Sequence, residues 1–554
     1  MLDIKLRFIS IFWLFLGLLF AEPLFVDKPL EYIQKSSCGE PLHVKHPKSH
    51  IKIYLPSIPY TYVSRLINGS LLRVSDDENG WEYMMATEIS QMDALTYDVT
   101  LRQNVKFQDG SPFDAKNVVR NFEQFIAHPF TYTDIHNRLK SIEYIDQYKV
   151  RFHLLKPYGM FLHDLVSINL YSNAYLDKFG WRGDATGDSM VEPGVYGLGP
   201  YILHQGYATG RKQTKEVVLK ANPHYYEANK PYIQTITIFT ELNFDSAVDW
   251  ALNKEGILDI APLPFNKKAE AVLSPYSKLF TSPSLHNYTI YFNMLKPNGV
   301  FKDKSIRQAL NRAINHANLL NFVYKKEGEI SPSAASINFV AIKKSAKLLR
   351  PESALEQKEK KELRSILNGL TLNVLTQDRF MFLWRGIEYQ LLPYGVKLNF
   401  TITQSEKNIY ENLLTNRDKP KDWDILTWGN DDWYGNHPWT VFFAYRPGSE
   451  WSMIQEDKKM SSLLENLFTA PPKSLEYDNI IASIISHAQN EAYLLKVPSP
   501  HLVLAINKEL LYAPSKSAIM PLWEAKISNL HWSVREGKYP KTCQEPFMPK
   551  RLLQ

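Results

Sequence analysis

Apolar and polar positions follow two rhythms along this chain from residue 50 to about residue 515. Residues 97–102 alternate apolar and polar side chains, as a half-buried strand does. A turn signal at residues 108–110 leads to Asp114, a residue type that caps helices. Four apolar residues follow at helical spacing: Val118, Phe122, Phe125 and Ile126. Strands that alternate with amphipathic helices predict an α/β architecture.

The same patterns predict further elements. Apolar runs predict strands at residues 216–220, 233–238, 288–293 and 424–428. Asp303 is a predicted N-cap. One helix is expected behind it, with an apolar stripe of Ile306, Leu310, Ala313, Ile314, Ala317 and Leu320. Predicted strands at residues 372–375 and 396–402 flank a predicted helix around residues 380–392, which is a βαβ-like pattern.

One predicted strand end combines acidic and aromatic side chains. The strand at residues 424–428 runs into Gly429, Asn430, Asp431, Asp432, Trp433 and Tyr434. Ligands of α/β folds favour the space beyond strand ends. Residues 428–434 are therefore a candidate functional segment.

The N-terminus has the order of a secretory signal peptide. Lys5 and Arg7 precede an apolar run from Phe8 to Phe20, and the small residue Ala21 follows. This run is shorter than the roughly 20 apolar residues that cross a bilayer. We expect cleavage after Ala21, which leaves a chain outside the cytosol. An uncleaved N-terminal anchor is the alternative.

Composition limits the function further. The net charge is +6 over 554 residues and forms no basic stripe, so nucleic-acid binding has little support. Aromatic residues make up 13% of the chain, and Tyr and Trp suit both cores and ligand surfaces. Cys38 and Cys543 are the two cysteines. An oxidising compartment allows one disulfide between them, and two buried thiols are the alternative.

Four segments carry a family resemblance when they are taken in order. Residues 101–119 read as a strand, an F-x-D-G turn, a Ser-Pro pair and a capped helix. Residues 197–201 read G-L-G-P-Y, residues 222–226 read N-P-H-Y-Y, and residues 292–293 with 307–314 form a further strand and helix pair. Together they resemble the family 5 extracellular solute-binding proteins, which include the dipeptide, oligopeptide and nickel-chelate receptors of ABC importers. Leu198 replaces the threonine that is usual in the family's G-T-G-P-Y turn.

The resemblance implies an α/β, two-lobed periplasmic binding protein of type II, with an extra subdomain in lobe I and a ligand cleft between the lobes. Lobe I would comprise residues 22–285, with the inserted subdomain at about residues 76–185. Lobe II would comprise residues 286–512, and residues 513–554 would return to lobe I. Cys38 and Cys543 would then both lie in lobe I. The lobes of such proteins close on a ligand by hinge motion, and the closed form docks on a permease.

The resemblance also implies a ligand site. In the family's peptide receptors, an aspartate near a W-x-x-D-Y-x-x-P segment holds the peptide α-ammonium group, because a buried cation must be paired. Asp432 is the first candidate for this role, and Asp431, which has the right spacing from Trp428, is the second. The predicted pocket walls are Trp428, Trp433, Tyr434 and Trp439. Solvated loop acids and core aromatics are the alternative interpretation.

The predicted function is that of the substrate-binding component of an ABC importer. It would be a periplasmic monomer without a cofactor that delivers di- or oligopeptides to a permease and ATPase in the inner membrane. One alternative ligand is a nickel or other metal chelate, with His437 as the metal ligand. However, residues 167–171 lack the lobe I arginine of the chelate receptors.

Two further classes of function are considered. An exported hydrolase is disfavoured, because the chain has no G-x-S-x-G, H-E-x-x-H or P-loop pattern. A sensor that docks on a membrane receptor is another alternative.

Overall fold

The computed structural model describes residues 39–56, 59–129, 133–181, 192–208, 212–348, 355–404, 406–415, 421–430, 434–517 and 520–536. The predicted signal peptide lies outside these ranges. So do both cysteines and three predicted site residues: Cys38, Cys543, Asp431, Asp432 and Trp433.

A seven-stranded sheet forms the centre of the first lobe, which we call lobe I. In spatial order its strands are Ser277–Ser282, Leu502–Asn507, Ile260–Pro262, His50–Tyr54, Thr235–Phe239, Glu216–Ala221 and Tyr201–Gln205. His50–Tyr54 pairs in parallel with both of its neighbours, and the other pairs are antiparallel. The central strand alternates fully buried Ile51 and Ile53 with half-buried residues, so local apolar alternation matches its central position.

Along the chain, a four-stranded antiparallel sheet lies between two strands of the lobe I sheet, His50–Tyr54 and Tyr201–Gln205. Its strands are Leu139–Asp146, Lys149–Leu154, Thr96–Leu101 and Ala86–Asp93. Three helices accompany the sheet: Ala115–Ala127, Phe161–Ser167 and Asn173–Lys178. Phe122 and Phe161 pack on Phe152 of the sheet, with ring centroids 4.9 and 5.4 Å away. We call this unit the inserted subdomain.

A five-stranded sheet forms the second lobe, lobe II. Its strands are Lys397–Thr403, Thr371–Gln377, Ile425–Asn430, Asn287–Phe292 and Leu494–Leu495. The first three are parallel, and the predicted βαβ unit is confirmed, since the helix Met381–Leu391 joins two parallel neighbours. Further helices of this lobe are Lys304–Ala313, Val340–Ala346, Gln357–Leu367, Glu406–Tyr410, Trp439–Phe442, Lys458–Thr469 and Leu475–Glu491.

The remaining elements belong to lobe I or join the lobes. Lobe I also holds the helices Pro59–Ile67, Phe244–Asn253 and Lys268–Leu273. Three short strand pairs complete the fold: Leu72–Val74 with Trp81–Tyr83, Gly328–Glu329 with Ser499–Pro500, and Leu510–Leu511 with Lys526–Ile527. The chain crosses between the lobes at residues 283–286 and again at residues 496–501.

Two features differ from the sequence-based expectations. The strand Leu502–Asn507 pairs with Ser277–Ser282 in lobe I, so the chain returns to lobe I before the expected boundary at residue 512. The single helix expected up to Leu320 ends at Ala313, because Ile314 is extended. The Asn315 side chain then accepts a hydrogen bond from the Asn318 amide at 2.9 Å and starts a new turn.

Candidate functional site

A cavity of about 160 Å³ lies between the two lobes. Parallel strands of both lobes end beside it, which is where α/β sheets bind ligands. Lobe I contributes Tyr54 at the end of its central strand, together with residues that include Tyr62, Phe265 and Tyr512. Lobe II contributes Asn287, Tyr288, Arg379, Phe380, Phe382 and Gly429. His286 comes from the first crossing, and Pro500 and His501 come from the second.

Aromatic pairs make the cavity walls rigid and apolar. Phe265 of lobe I meets Phe382 of lobe II edge to face, with 5.3 Å between ring centroids. Tyr288 and Phe380 form a second edge-to-face pair at 5.1 Å. Such walls exclude water and accept varied apolar groups, so orientation must come from a few polar groups.

Arg379 is the only Lys, Arg, Asp or Glu among the described residues that line the cavity. It follows the strand Thr371–Gln377, and its guanidinium lies 4.4 Å from the centre of the Phe380 ring. Two of its nitrogens donate to Gln377 Oε1 at 3.1 and 3.2 Å. These contacts hold a planar, always charged group beside the cavity, a geometry that suits a carboxylate.

Asp378, the neighbour of Arg379, connects the lobes. Its carboxylate accepts a hydrogen bond from the backbone amide of Phe244 in lobe I at 3.3 Å. Burial raises the pKa of Asp378, against two backbone hydrogen bonds and the charge of Arg379.

Gly429 leaves the space that Arg379 occupies. A Cβ atom at Gly429 would lie 2.9 Å from Arg379 Nη2 and 2.9 Å from Phe380 Cζ. The strand Ile425–Asn430 therefore needs glycine at this position so that the guanidinium can approach the backbone. The same strand leads into the predicted ligand segment, which places Arg379 beside the start of that segment.

Sequence reasoning missed Arg379 as a site residue. The available signal was its position: it is a charged residue four positions after the predicted strand at residues 372–375. Charged residues that follow buried parallel strands lie at the edge of the sheet where ligands bind.

The described residues among the predicted pocket walls are buried. Trp428 is 4% exposed, donates its indole hydrogen to the Glu406 carboxylate and stacks on Trp451 at 5.4 Å. Tyr434 bonds to the inserted subdomain, and Trp439 packs against Phe468 at 4.9 Å. None of these three lines the described cavity. The ligand roles predicted for them, and for Asp431, Asp432 and Trp433, stay predictions.

His437, the candidate metal ligand of the chelate alternative, is also buried. Its Nε2 is hydrogen-bonded to the Tyr477 hydroxyl, and its Nδ1 accepts the Trp439 amide at 2.9 Å. Burial lowers the pKa of His437 well below its usual value, with a further contribution from His163. Within the described ranges, no three His, Cys, Asp or Glu side chains are grouped as metal ligands.

The helices of the described part of the chain are too short or too polar to cross a membrane.

A family model identifies the chain. The model described as bacterial extracellular solute-binding proteins, family 5 Middle, matches residues 81–451. The protein belongs to this family. The predicted resemblance is therefore confirmed over two thirds of the sequence.

A curated relative is the glutathione-binding protein GsiB of Salmonella paratyphi A. It is 30% identical over 255 residues, which cover 44% of this chain and 46% of the relative. The match thus spans about half of the relative's length.

Two solved structures share the fold. The murein tripeptide binding protein MppA of Escherichia coli superposes with a TM-score of 0.72 at 16% identity, covering 88% of this chain and 99% of MppA. NikA of Staphylococcus aureus, solved with Ni(L-His)2, gives a TM-score of 0.69 at 16% identity, covering 87% and 100% of the two chains. The predicted two-lobed α/β fold is confirmed.

Proposed function

We propose that this protein captures short peptides in the periplasm and delivers them to an ABC permease. The observation that carries the proposal is the single charged side chain among the described cavity residues, Arg379, held against Gly429. Asp431 and Asp432 follow Gly429 by two and three residues. A guanidinium and a carboxylate at one site complement the two ends of a zwitterion, because each desolvated charge must be paired.

The cavity size favours a short ligand. A cavity of about 150 Å³ binds benzene, and pockets for drug-sized ligands measure roughly 300–1,000 Å³. The space of about 160 Å³ between the lobes therefore suits one or two side chains of a short peptide. The relatives named for glutathione and for a murein tripeptide agree with this size class, whereas AppA of Bacillus subtilis, which shares the fold, was solved with a nonapeptide.

The wider setting is part of the proposal. The chain would be exported with cleavage after Ala21 and would act as a monomeric binding protein without catalysis. Its partners would be the permease and ATPase of an importer in the inner membrane. Asp432, or else Asp431, would hold the ligand α-ammonium group, while Trp433 and its aromatic neighbours would support the segment.

Native mass spectrometry of the purified mature chain, followed by denaturing release, tests the ligand class. We expect a set of short peptides, released uncleaved after incubation. A discrete metal-chelate mass would support the chelate alternative, and cleaved products would support an enzyme.

Isothermal titration with a bound peptide then tests the residues. Arg379→Gln should raise Kd at least tenfold, because truncating one partner of a buried charge pair costs about 2–5 kcal/mol. Arg385→Gln is the matched control, since this arginine pairs with Glu388 at 2.8 Å on the surface. Asp432→Asn and Asp431→Asn show which of the two carboxylates holds the α-ammonium group, because only the variant that lacks it should lose affinity. Equal affinity in Arg379→Gln and Arg385→Gln would contradict the assignment of Arg379.

A further inference from the structure

Tyr434, the last residue of the candidate segment 428–434, is anchored in the inserted subdomain. Tyr434 is 1% exposed, and its hydroxyl donates to the carboxylate of Asp164. Asp164 is fully buried and also accepts the Tyr158 hydroxyl at 2.6 Å and the Ile135 amide at 2.9 Å. Several donors therefore fix this carboxylate, and one of them comes from lobe II.

Beside Tyr434, the backbone of lobe I also contacts the backbone of lobe II. Gly80 of lobe I faces Gly435 of lobe II so closely that a Cβ on Gly80 would overlap the Gly435 carbonyl. His163 Nδ1 lies 3.1 Å from the Tyr434 carbonyl oxygen, and the His163 ring stacks on the Tyr434 ring. The two backbones can approach this closely because both residues are glycines, which have no side chain.

Alternating charges extend the interface. Asp134 of the subdomain binds Arg138 at 2.6 Å and Arg446 of lobe II at 2.8 Å. Arg138 in turn donates to both carboxylate oxygens of Glu465 in lobe II, at 3.0 and 2.6 Å. Asp134 and Arg138 are each 2% exposed, and each loses a charged partner of lobe II when the lobes separate, while their own pair remains.

Within the described residues, the backbone passes between the lobes at the two crossings given above. Any hinge opening about these crossings separates contacts elsewhere between the lobes. The subdomain interface involves neither crossing, and it begins at Tyr434, the last residue of the candidate segment.

We infer that the inserted subdomain and lobe II form a latch that holds the lobes closed, through the contacts of Tyr434 with Asp164 and of Arg446 with Asp134, and that Asp164 is a positioning residue, which holds Tyr434. This role rests on the proposed function, because a latch between the lobes matters where a ligand is held in the cleft between them. Contacts made only in the closed state shift the population towards it and slow ligand release.

Two matched variants separate the latch from general stability. Tyr434→Phe removes a hydroxyl that reaches Asp164 across the lobes, and Tyr171→Phe removes a buried hydroxyl that accepts a hydrogen bond from Asn169 Nδ2 at 3.3 Å within the subdomain. Hydrogen–deuterium exchange of the ligand-free protein measures how often the contacts between the subdomain and lobe II open. Tyr434→Phe should speed exchange at residues 434–446 about tenfold, because it leaves the buried Asp164 carboxyl without its donor from lobe II. Arg446→Gln, which loses the cross-lobe pair with Asp134, should act similarly.

Stopped-flow release of glutathione and of the dipeptide Ala-Phe completes the test. Tyr434→Phe should raise koff about tenfold, and Tyr171→Phe should change it less than twofold. Equal exchange and equal koff in the two tyrosine variants would overturn the latch. If the wild-type protein binds neither probe, the peptide function fails for these ligands, and the exchange data still decide the latch.

Discussion

At the scale of single residues, the position of the cavity arginine depends on the absence of a side chain at Gly429. Gly429 gives Arg379 and Phe380 the room that a Cβ atom would take at 2.9 Å from each. Because a long arginine side chain can move, the first effect of a larger residue falls on ligand contact rather than on folding.

Gly429→Ala should therefore weaken peptide binding about tenfold. The new methyl group displaces the guanidinium, so its hydrogen bonds to a ligand carboxylate are lost or bent. Isothermal titration measures Kd, and thermal melting should show a loss of stability of about 1 kcal/mol or less. An unchanged Kd with wild-type stability would show that Arg379 does not contact the ligand.

The burial of individual side chains could be predicted from the sequence only in part. The strand predicted from the apolar run at residues 424–428 is confirmed by the strand Ile425–Asn430. Trp428 could still face a pocket or the core, since aromatic residues suit both. Glu406 and Trp451, which are distant in sequence, enclose its ring and decide for the core.

At the scale of elements, capping signals set where helices begin. The predicted N-caps Asp114 and Asp303 are confirmed: Asp114 accepts the Asn117 amide at 3.0 Å, and Asp303 accepts the Ser305 amide at 2.8 Å. Helix ends were harder to predict, because the apolar stripe continues past Ala313 while the backbone turns at Ile314.

Asp114→Ala should lower the free energy of unfolding by about 1 kcal/mol, because it leaves a helix amide without its acceptor. Urea unfolding followed by circular dichroism measures the change. Asp114→Asn is the control, since asparagine caps as well as aspartate does. A similar loss in both variants would assign the effect to charge instead of capping.

At the scale of the whole molecule, a buried ion cluster ties the lobes together beside the crossings. Glu327, which is 5% exposed, binds Lys268 and Thr281 of lobe I and His501 of the second crossing. Burial alone would raise the pKa of Glu327. The hydrogen bonds from His501, Lys268 and Thr281 outweigh burial and lower the pKa to about 2.

This pKa fixes the sign of a pH effect. A carboxyl whose folded pKa lies below its ordinary value near 4.5 stabilises the fold above pH 4.5, and the contribution is lost as pH falls towards 2. Glu327→Gln should cost about 2 kcal/mol at pH 7, and its cost should shrink between pH 4.5 and 2. Urea unfolding at several pH values measures this difference. A cost that does not depend on pH would contradict an ionised Glu327.

The sequence by itself determined the local structure and the family: the strand alternation, the helix caps, the βαβ unit and four ordered family segments. Each of these patterns depends on residues a few positions apart, so the sequence pattern alone is enough to predict it. Only the tertiary structure decided which residues line the cavity, that Leu502–Asn507 belongs to lobe I, and that Tyr434 meets Asp164. Each of these depends on side chains tens or hundreds of positions apart, whose proximity comes from the packing of two lobes.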